Sequence, residues 1–294
     1  SPSADDFLMF DSAAVGDATS GIIGTNVNIA VGPQWSRSIG TPSTSVQLQD
    51  RFKTSQVAIY QLDGFVHAEL LSNRVTIAEA PLGDQLMLDG TMDDILVTAS
   101  RGRITLKGSV DTNNLVVSPM VGSRGDRPEI LIESGGDIDT IYLNGPCYVE
   151  NNVSTSTVVL AHPAAEYIHK GTQLGGASTT TVISGGSIVV DKDVFVSDGD
   201  HIISSGSYTI LPTTRTFAFG AAAVVDLMGG GILNTEYAQN QSSGGTITSY
   251  GGRWNMRKPS TISLPTDTKM SSTSGRSLNF SDAANSGHLP TVIW

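Results

Sequence analysis

The sequence predicts an all-β chain wound as a right-handed parallel β-helix, and three observations carry that expectation. From about Thr181 to Leu278, small apolar clusters recur every six to eight residues: Val182, Val189, Phe195, Ile203, Thr209, Phe217 and Val224, then Ile247, Trp254, Ile262, Met270 and Leu278. Each cluster is too short for a helix, and most are bounded by Gly, Ser, Asn or Asp, as in Ser184-Gly185-Gly186-Ser187 and Ser205-Gly206-Ser207. Ser, Thr and Gly together make up about a third of the chain while only 15% is charged, a composition that disfavours helices. Three short strands per coil give a turn of roughly 20 residues, the size at which a chain stacks on itself.

Taken in order, residues 1–50 stand apart. They are rich in Ser, Gly, Ala, Pro and Thr and show no sustained strand rhythm, which predicts an extended N-terminal arm. Phe7, Met9, Phe10, Ile22, Ile23 and Trp35 are apolar anchors for it, against a neighbour or against its own domain. From Arg51 the strand pattern begins: Val57–Tyr60, Val66–Leu70, Val75–Ile77, Leu86–Leu88, Ile95–Val97, Ile104–Leu106 and Leu115–Val117. Their wider spacing and the Asp63-Gly64 and Asp89-Gly90 corners also fit antiparallel hairpins. Residues 51–118 are therefore either a small β cap domain or the first coils.

Residues 119–294 are read as the β-helical body. Its first part is less regular, with strands around Ile130–Ile132, Ile141–Leu143 and Val158–Leu160 and one or two helical turns at Ala164–His169. Its end has the clearest rhythm, from Thr246-Ile247-Thr248 through Arg253-Trp254-Asn255-Met256 to Ser277–Ser281.

The formal charge of −11 excludes the basic surface that nucleic-acid binding needs, and no Lys/Arg cluster with interleaved aromatics occurs. Charge is uneven: residues 1–100 carry twelve acids against four bases, whereas 251–294 carry five bases against two acids. Opposite signs at the two ends suit an ordered partner surface. Cys147 is the single cysteine and reads as a buried thiol. No positively charged start followed by an apolar run opens the sequence, and no apolar stretch approaches the length of a membrane span, so neither export nor a membrane is expected. On that expectation the sequons at Asn152, Asn240 and Asn279 and the Arg124-Gly125-Asp126 tripeptide carry little weight.

Glycoside hydrolysis needs two carboxyls roughly 5–10 Å apart, and residues i and i+2 of a strand meet that distance. Asp191/Asp193, Asp198/Asp200 beside His201, Asp137/Asp139 and the adjacent Asp93-Asp94 are the candidates. Aspartates at solenoid corners, however, cap turns by accepting from nearby backbone N–H groups. Aromatic platforms for sugars are also scarce, so no catalytic residue is assigned. His67, His162, His169, His201 and His288 lack ligand spacing, and Met228-Gly229-Gly230-Gly231 lacks the Lys-Ser/Thr of a phosphate loop. No metal and no cofactor is expected.

With its Thr/Ser-flanked strands and Gly-Gly corners, the chain resembles the β-helical parts of tailed-phage virion proteins, most closely from about Gly245 to the C-terminal end. The resemblance implies a homotrimer without an export signal, assembled in the host cytoplasm and carried on the virion as a capsid decoration or cement protein. The alternative is a short tail spike or fibre that binds host glycan, with or without depolymerase activity. Coiled-coil heptads are missing, which points away from the long-fibre type. On this reading Phe7, Phe10, Ile22, Ile23 and Trp35 dock onto the shell, on the major capsid protein or another virion protein. Trp254, Met256, Met270 and Trp294 would supply the trimer interface, because a lone thin solenoid buries large apolar groups poorly.

Overall fold

A computed structural model describes the backbone of residues 7–10, 28–31, 46–48, 53–59, 66–77, 85–119, 127–220, 222–235, 240–243, 246–256, 261–263, 270–272 and 279–280, and the side chains of 74–77, 86–119, 127–220, 222–235 and 250–255. Among the described residues there are strands and no helix. The chain forms two compact units, Ser1–Val149 and Glu150–Trp294, each a β-solenoid whose strands pair in parallel with the coils before and after.

In the second unit three strands make one coil. Thr180–Ile183, Ser187–Val190 and Val194–Ser197 are three successive sides. Each pairs with its counterpart one coil later: Val182 with Ile202, Ile188 with Tyr208, and Phe195 with Phe217. Alternation does the sorting, because successive strand residues point to opposite faces. Along Ser187–Val190, Ile188 and Val190 are buried while Ser187 and Val189 remain partly exposed. Stacking repeats this choice on every coil, giving inward columns such as Tyr167–Ile188–Tyr208–Leu233–Trp254. Burying each Val, Ile, Leu or Phe contributes roughly 1.5–3 kcal/mol relative to exposure.

Coil length is not constant. The interval from Tyr208 to Leu233 is longer than that from Ile188 to Tyr208, yet both pairs are in register. The surplus is spread over the corners of the coil: the Phe195–Phe217 and Ile203–Leu227 pairs are already more widely spaced in sequence, and the last extra residue enters where the register shifts between Ile203 and Ser205 opposite Leu227–Gly230. Glycine is required where corners stack tightly. Gly206 has φ +92°, and a Cβ there would lie 2.2 Å from the Gly186 carbonyl oxygen. Gly229, in the enlarged corner, has no atom within 4 Å of its Cβ position.

The first unit is built on the same principle with two long ladders. One stacks Val57, Val75, Ile95, Leu115 and Ile141. The other stacks Val46, Val66, Leu86, Ile104 and Ile130. Strands Val66–Ile77 and Gln85–Val97 each run through both ladders. Strands Val66–Ile77, Gln85–Val97, Gly102–Leu106 and Asp111–Val117 thus belong to stacked coils and not to a cap of antiparallel hairpins. Gly90, with φ +94°, bends a continuing strand at the Asp89-Gly90 corner, where a hairpin reversal was one of the two alternatives. Cys147 is fully buried.

Within the segment read as an arm, three short strands are described: Phe7–Phe10 pairs in parallel with Asn28–Val31, which pairs with Lys53–Ile59, and Val46–Leu48 pairs with Val66–Ala68. One further expectation changes. Ala165–His169 is a strand and not a helical turn. Its Tyr167 and His169 point inward while Glu166 and Ile168 face out, so a period of two holds where a helical period was expected.

Candidate functional site

The carboxylates singled out by spacing are held at corners and outward positions. Gly199 N donates to Asp198 Oδ1 at 3.0 Å, an aspartate capping the turn that leads into strand Asp200–Ile210. Asp200 is exposed and His201 is 1% exposed, so the strand's alternation places them on opposite sides of the coil wall. Asp198, Asp200 and His201 therefore form no acid–base set. Asp191 accepts from Thr213 Oγ1 at 2.6 Å, one coil on. Asp193 accepts from Nε and Nη2 of the Arg215 guanidinium, which holds its carboxyl below the usual range. Asp94 accepts from Asn114 Nδ2 at 2.9 Å and pairs with Arg74 at 3.5 Å, while Asp93, Asp137 and Asp139 are exposed on the outer wall.

Reactive side chains do meet inside the second unit. Ser197 Oγ lies 3.0 Å from His201 Nε2 and 3.0 Å from the Tyr208 hydroxyl. A hydroxyl against an imidazole is the core of a nucleophile–base pair. Here, however, Ser197 is 0% exposed, and both neighbours are buried. Burial pushes the His201 imidazole down to about 4 and raises the Tyr208 phenol. The result is a neutral, hydrogen-bonded knot in the core with no route for a substrate.

A second knot lies on earlier coils of the same unit. Asn151 Nδ2 donates to Thr155 Oγ1 and to the Tyr167 hydroxyl, each at 2.7 Å. Tyr167 then meets His169 Nδ1 at 3.0 Å, and His169 Nε2 donates to the Gln173 carbonyl at 3.0 Å. That carbonyl can only accept, which fixes the proton on Nε2 and leaves Nδ1 to accept from the phenol. Burial lowers His169 to about 4 and raises Tyr167. Phe195 packs edge-on against His169 and stacks on Phe217, which in turn meets Phe219, itself in contact with His201. The knots and the aromatic cluster are core architecture.

One outward carboxylate pair escaped the reading of sequence spacing. Asp200 aligns with Val224, and Ile202 with Asp226, so Asp200 and Asp226 sit diagonally on neighbouring coils, roughly 8 Å apart at Cα. Partial desolvation, reinforced by the Asp200 charge, raises the Asp226 carboxyl. Val224, 38% exposed, and Tyr250, 47% exposed, belong to the same wall, Tyr250 aligning with Met228. Two aspartates so distant in sequence become neighbours only through the length of the coil between them.

Trp254 corrects an expectation. It is 3% exposed, and its indole N–H donates to Thr235 Oγ1 at 2.9 Å, so it fills its own coil and does not face a neighbour. Met256 and Met270 lie on strands Arg253–Met256 and Met270–Ser272, and Phe7 and Phe10 on Phe7–Phe10; their side chains are outside the described residues. Ile22, Ile23, Trp35 and Trp294 lie wholly outside them, as does Arg124-Gly125-Asp126.

Among the described residues, no group of three or more His, Cys, Asp or Glu could hold a metal ion, and no helix is long and apolar enough to cross a membrane. No family model, no curated protein and no solved structure matches the chain.

Proposed function

We propose that the chain is a non-enzymatic structural protein of a tailed-phage virion, a homotrimeric decoration or cement protein on the capsid exterior. The observation that carries this reading is the direction in which its chemistry faces. Ser197, His201 and Tyr208, and Asn151, Tyr167 and His169, which meet at bonding distance, are closed inside the coils. The outer walls offer ordered columns instead, such as Thr209–Asn234–Asn255, cross-linked by Asn234 Nδ2 to Thr209 Oγ1 at 3.0 Å and Asn255 Nδ2 to Asn234 Oδ1 at 2.7 Å. A rigid wall of this kind suits repeated contact with a lattice of identical neighbours. Residues 1–50, with Phe7, Phe10, Ile22, Ile23 and Trp35, serve as the attachment element toward the major capsid protein or another virion protein.

Electron microscopy of the intact particle tests the reading. Density for the solenoid at regular positions on the capsid supports it, and density only at the tail overturns the decoration role. The second reading, a short spike that binds host glycan, is favoured by Asp226 with its raised carboxyl beside Asp200 and the exposed Tyr250. Binding or cleavage of capsule or O-antigen that is lost in Asp226→Asn would promote it.

A further inference from the structure

One wall of the first unit combines an apolar column with unbalanced charge. Strands Gln85–Val97, Asp111–Val117 and Asp137–Leu143 stack in register on successive coils. Leu96, Val116 and Tyr142 form one outward column, each of them half-buried although it points away from the core. Flanking it, Asp111 aligns with Asp137, and Asp93 and Asp139 occupy the next outward position. These four are all exposed. From Thr91 to Leu143, the outward positions of these three strands carry five carboxylates, Asp94 included, and no base. The nearest cation on the ladder is Arg74, one coil earlier, and it pairs with Asp94.

Like charges on adjacent strands destabilise a sheet, and a half-exposed Leu–Val–Tyr column gains by burial. Both features are relieved by one occupant: a surface that is basic and carries large apolar side chains. The chain has such a segment. Residues 251–294 hold Arg253, Arg257, Lys258, Lys269 and Arg276 against Asp267 and Asp282, together with Met270, Leu278, Phe280, Ile293 and Trp294.

We infer that the Leu96–Val116–Tyr142 wall is the contact through which a second copy of this chain docks, presenting its residues 251–294. The contact is heterologous: different surfaces meet, so copies close into a ring or continue as a row according to the rotation between them. It rests on the multi-copy part of the function proposed above and not on the virion. It also takes over the inter-copy role expected of Trp254, whose indole is occupied inside its own coil.

The test is sedimentation of the purified full chain at about 0.1 M and about 1 M salt, where the screening length falls from about 10 Å to about 3 Å. Self-association at the lower salt, at least about tenfold weaker at the higher, is expected. Asp111→Lys/Asp137→Lys/Asp139→Lys should abolish it with the circular-dichroism spectrum unchanged, since all three side chains are exposed. Arg253→Glu/Lys258→Glu/Lys269→Glu should do the same, and mixing the two variants should restore association between unlike copies. A wild type that stays monomeric, association indifferent to the aspartate set, or variants that fail to complement when mixed would each overturn the proposal. Cross-links between the wall and residues 251–294 that form only within one chain would also overturn it, by making the segment its own chain's cover. None of these readouts depends on where the protein sits on a particle.

Discussion

Ser197 Oγ stands 3.0 Å from both His201 Nε2 and the Tyr208 hydroxyl, so one small side chain bonds two large buried ones. Ser197→Ala leaves both partners unpaired in the core and is expected to destabilise by about 1–3 kcal/mol. Tyr208→Phe removes one of the orphaned groups, so Ser197→Ala/Tyr208→Phe should cost less than the sum of the single changes. A double-mutant cycle from chemical denaturation checks this. Additive losses would show that the three groups do not act as one knot.

The two core histidines make stability depend on pH. Unfolded imidazole titrates near 6.5, whereas burial holds His169 and His201 at about 4 in the folded chain. The unfolded state therefore binds more protons between those values. Stability is fully present above about pH 6.5 and falls as the pH drops toward 4, by on the order of 3 kcal/mol per histidine. Melting temperature followed from pH 7 to pH 4 should decline over that window, and His169→Asn/His201→Asn should flatten the decline even with a lower starting value. An unchanged slope would assign the acid sensitivity to carboxylates instead.

Glycine substitutions at two corners should act in opposite directions. Gly206→Ala forces a Cβ to 2.2 Å from the Gly186 carbonyl oxygen at φ +92°. The left-handed backbone alone disfavours Ala by roughly 1–2 kcal/mol, and the clash with backbone adds to it. Gly229→Ala meets nothing within 4 Å and restricts the unfolded chain, so it should stabilise by about 0.4–1 kcal/mol. Thermal melts of the two variants side by side give the comparison.

Asp226→Asn should raise the melting temperature slightly at neutral pH. The folded carboxyl is raised by partial desolvation and by Asp200, so its ionised form is disfavoured in the fold. The destabilisation it causes is fully present only above its folded pKa and vanishes below the unfolded value. The gain from Asn should accordingly shrink to nothing as the pH falls through the carboxylate range. A gain that persists in acid would point to packing and not to charge.

The solenoid is legible in the sequence where side chains alternate cleanly. Phe195, Ile203 and Phe217 mark inward positions, whereas Val189 marks its strand from the outward side between buried Ile188 and Val190; Gly186, Gly199 and Gly206 mark corners. The parallel pairing of residues 66–117 is not legible, because an Asp-Gly corner is compatible with a hairpin or with a bent strand. Only stacking against the next coil distinguishes them. Residues 1–50 hide their strands because segments of three or four residues, such as Asn28–Val31, give too few alternations to establish a period. Asp226 beside Asp200 is hidden for a different reason: the coil that separates them is longer than the preceding one. The size of Trp254 suggests that it would not fit inside, whereas Thr235 supplies the one partner its indole N–H needs.

The inequality between the Ile188–Tyr208 and Tyr208–Leu233 intervals bears on how such a protein can be altered. Flanking strands recover their alignment after the enlarged Met228–Gly231 corner, so the ladder counts strands and tolerates uneven spacers between them. A peptide spliced beside Gly229 would be displayed outside the wall at a fixed height, with the frame above and below unchanged. The same freedom lets lineages of such chains acquire new external loops one corner at a time, without redesigning the interior.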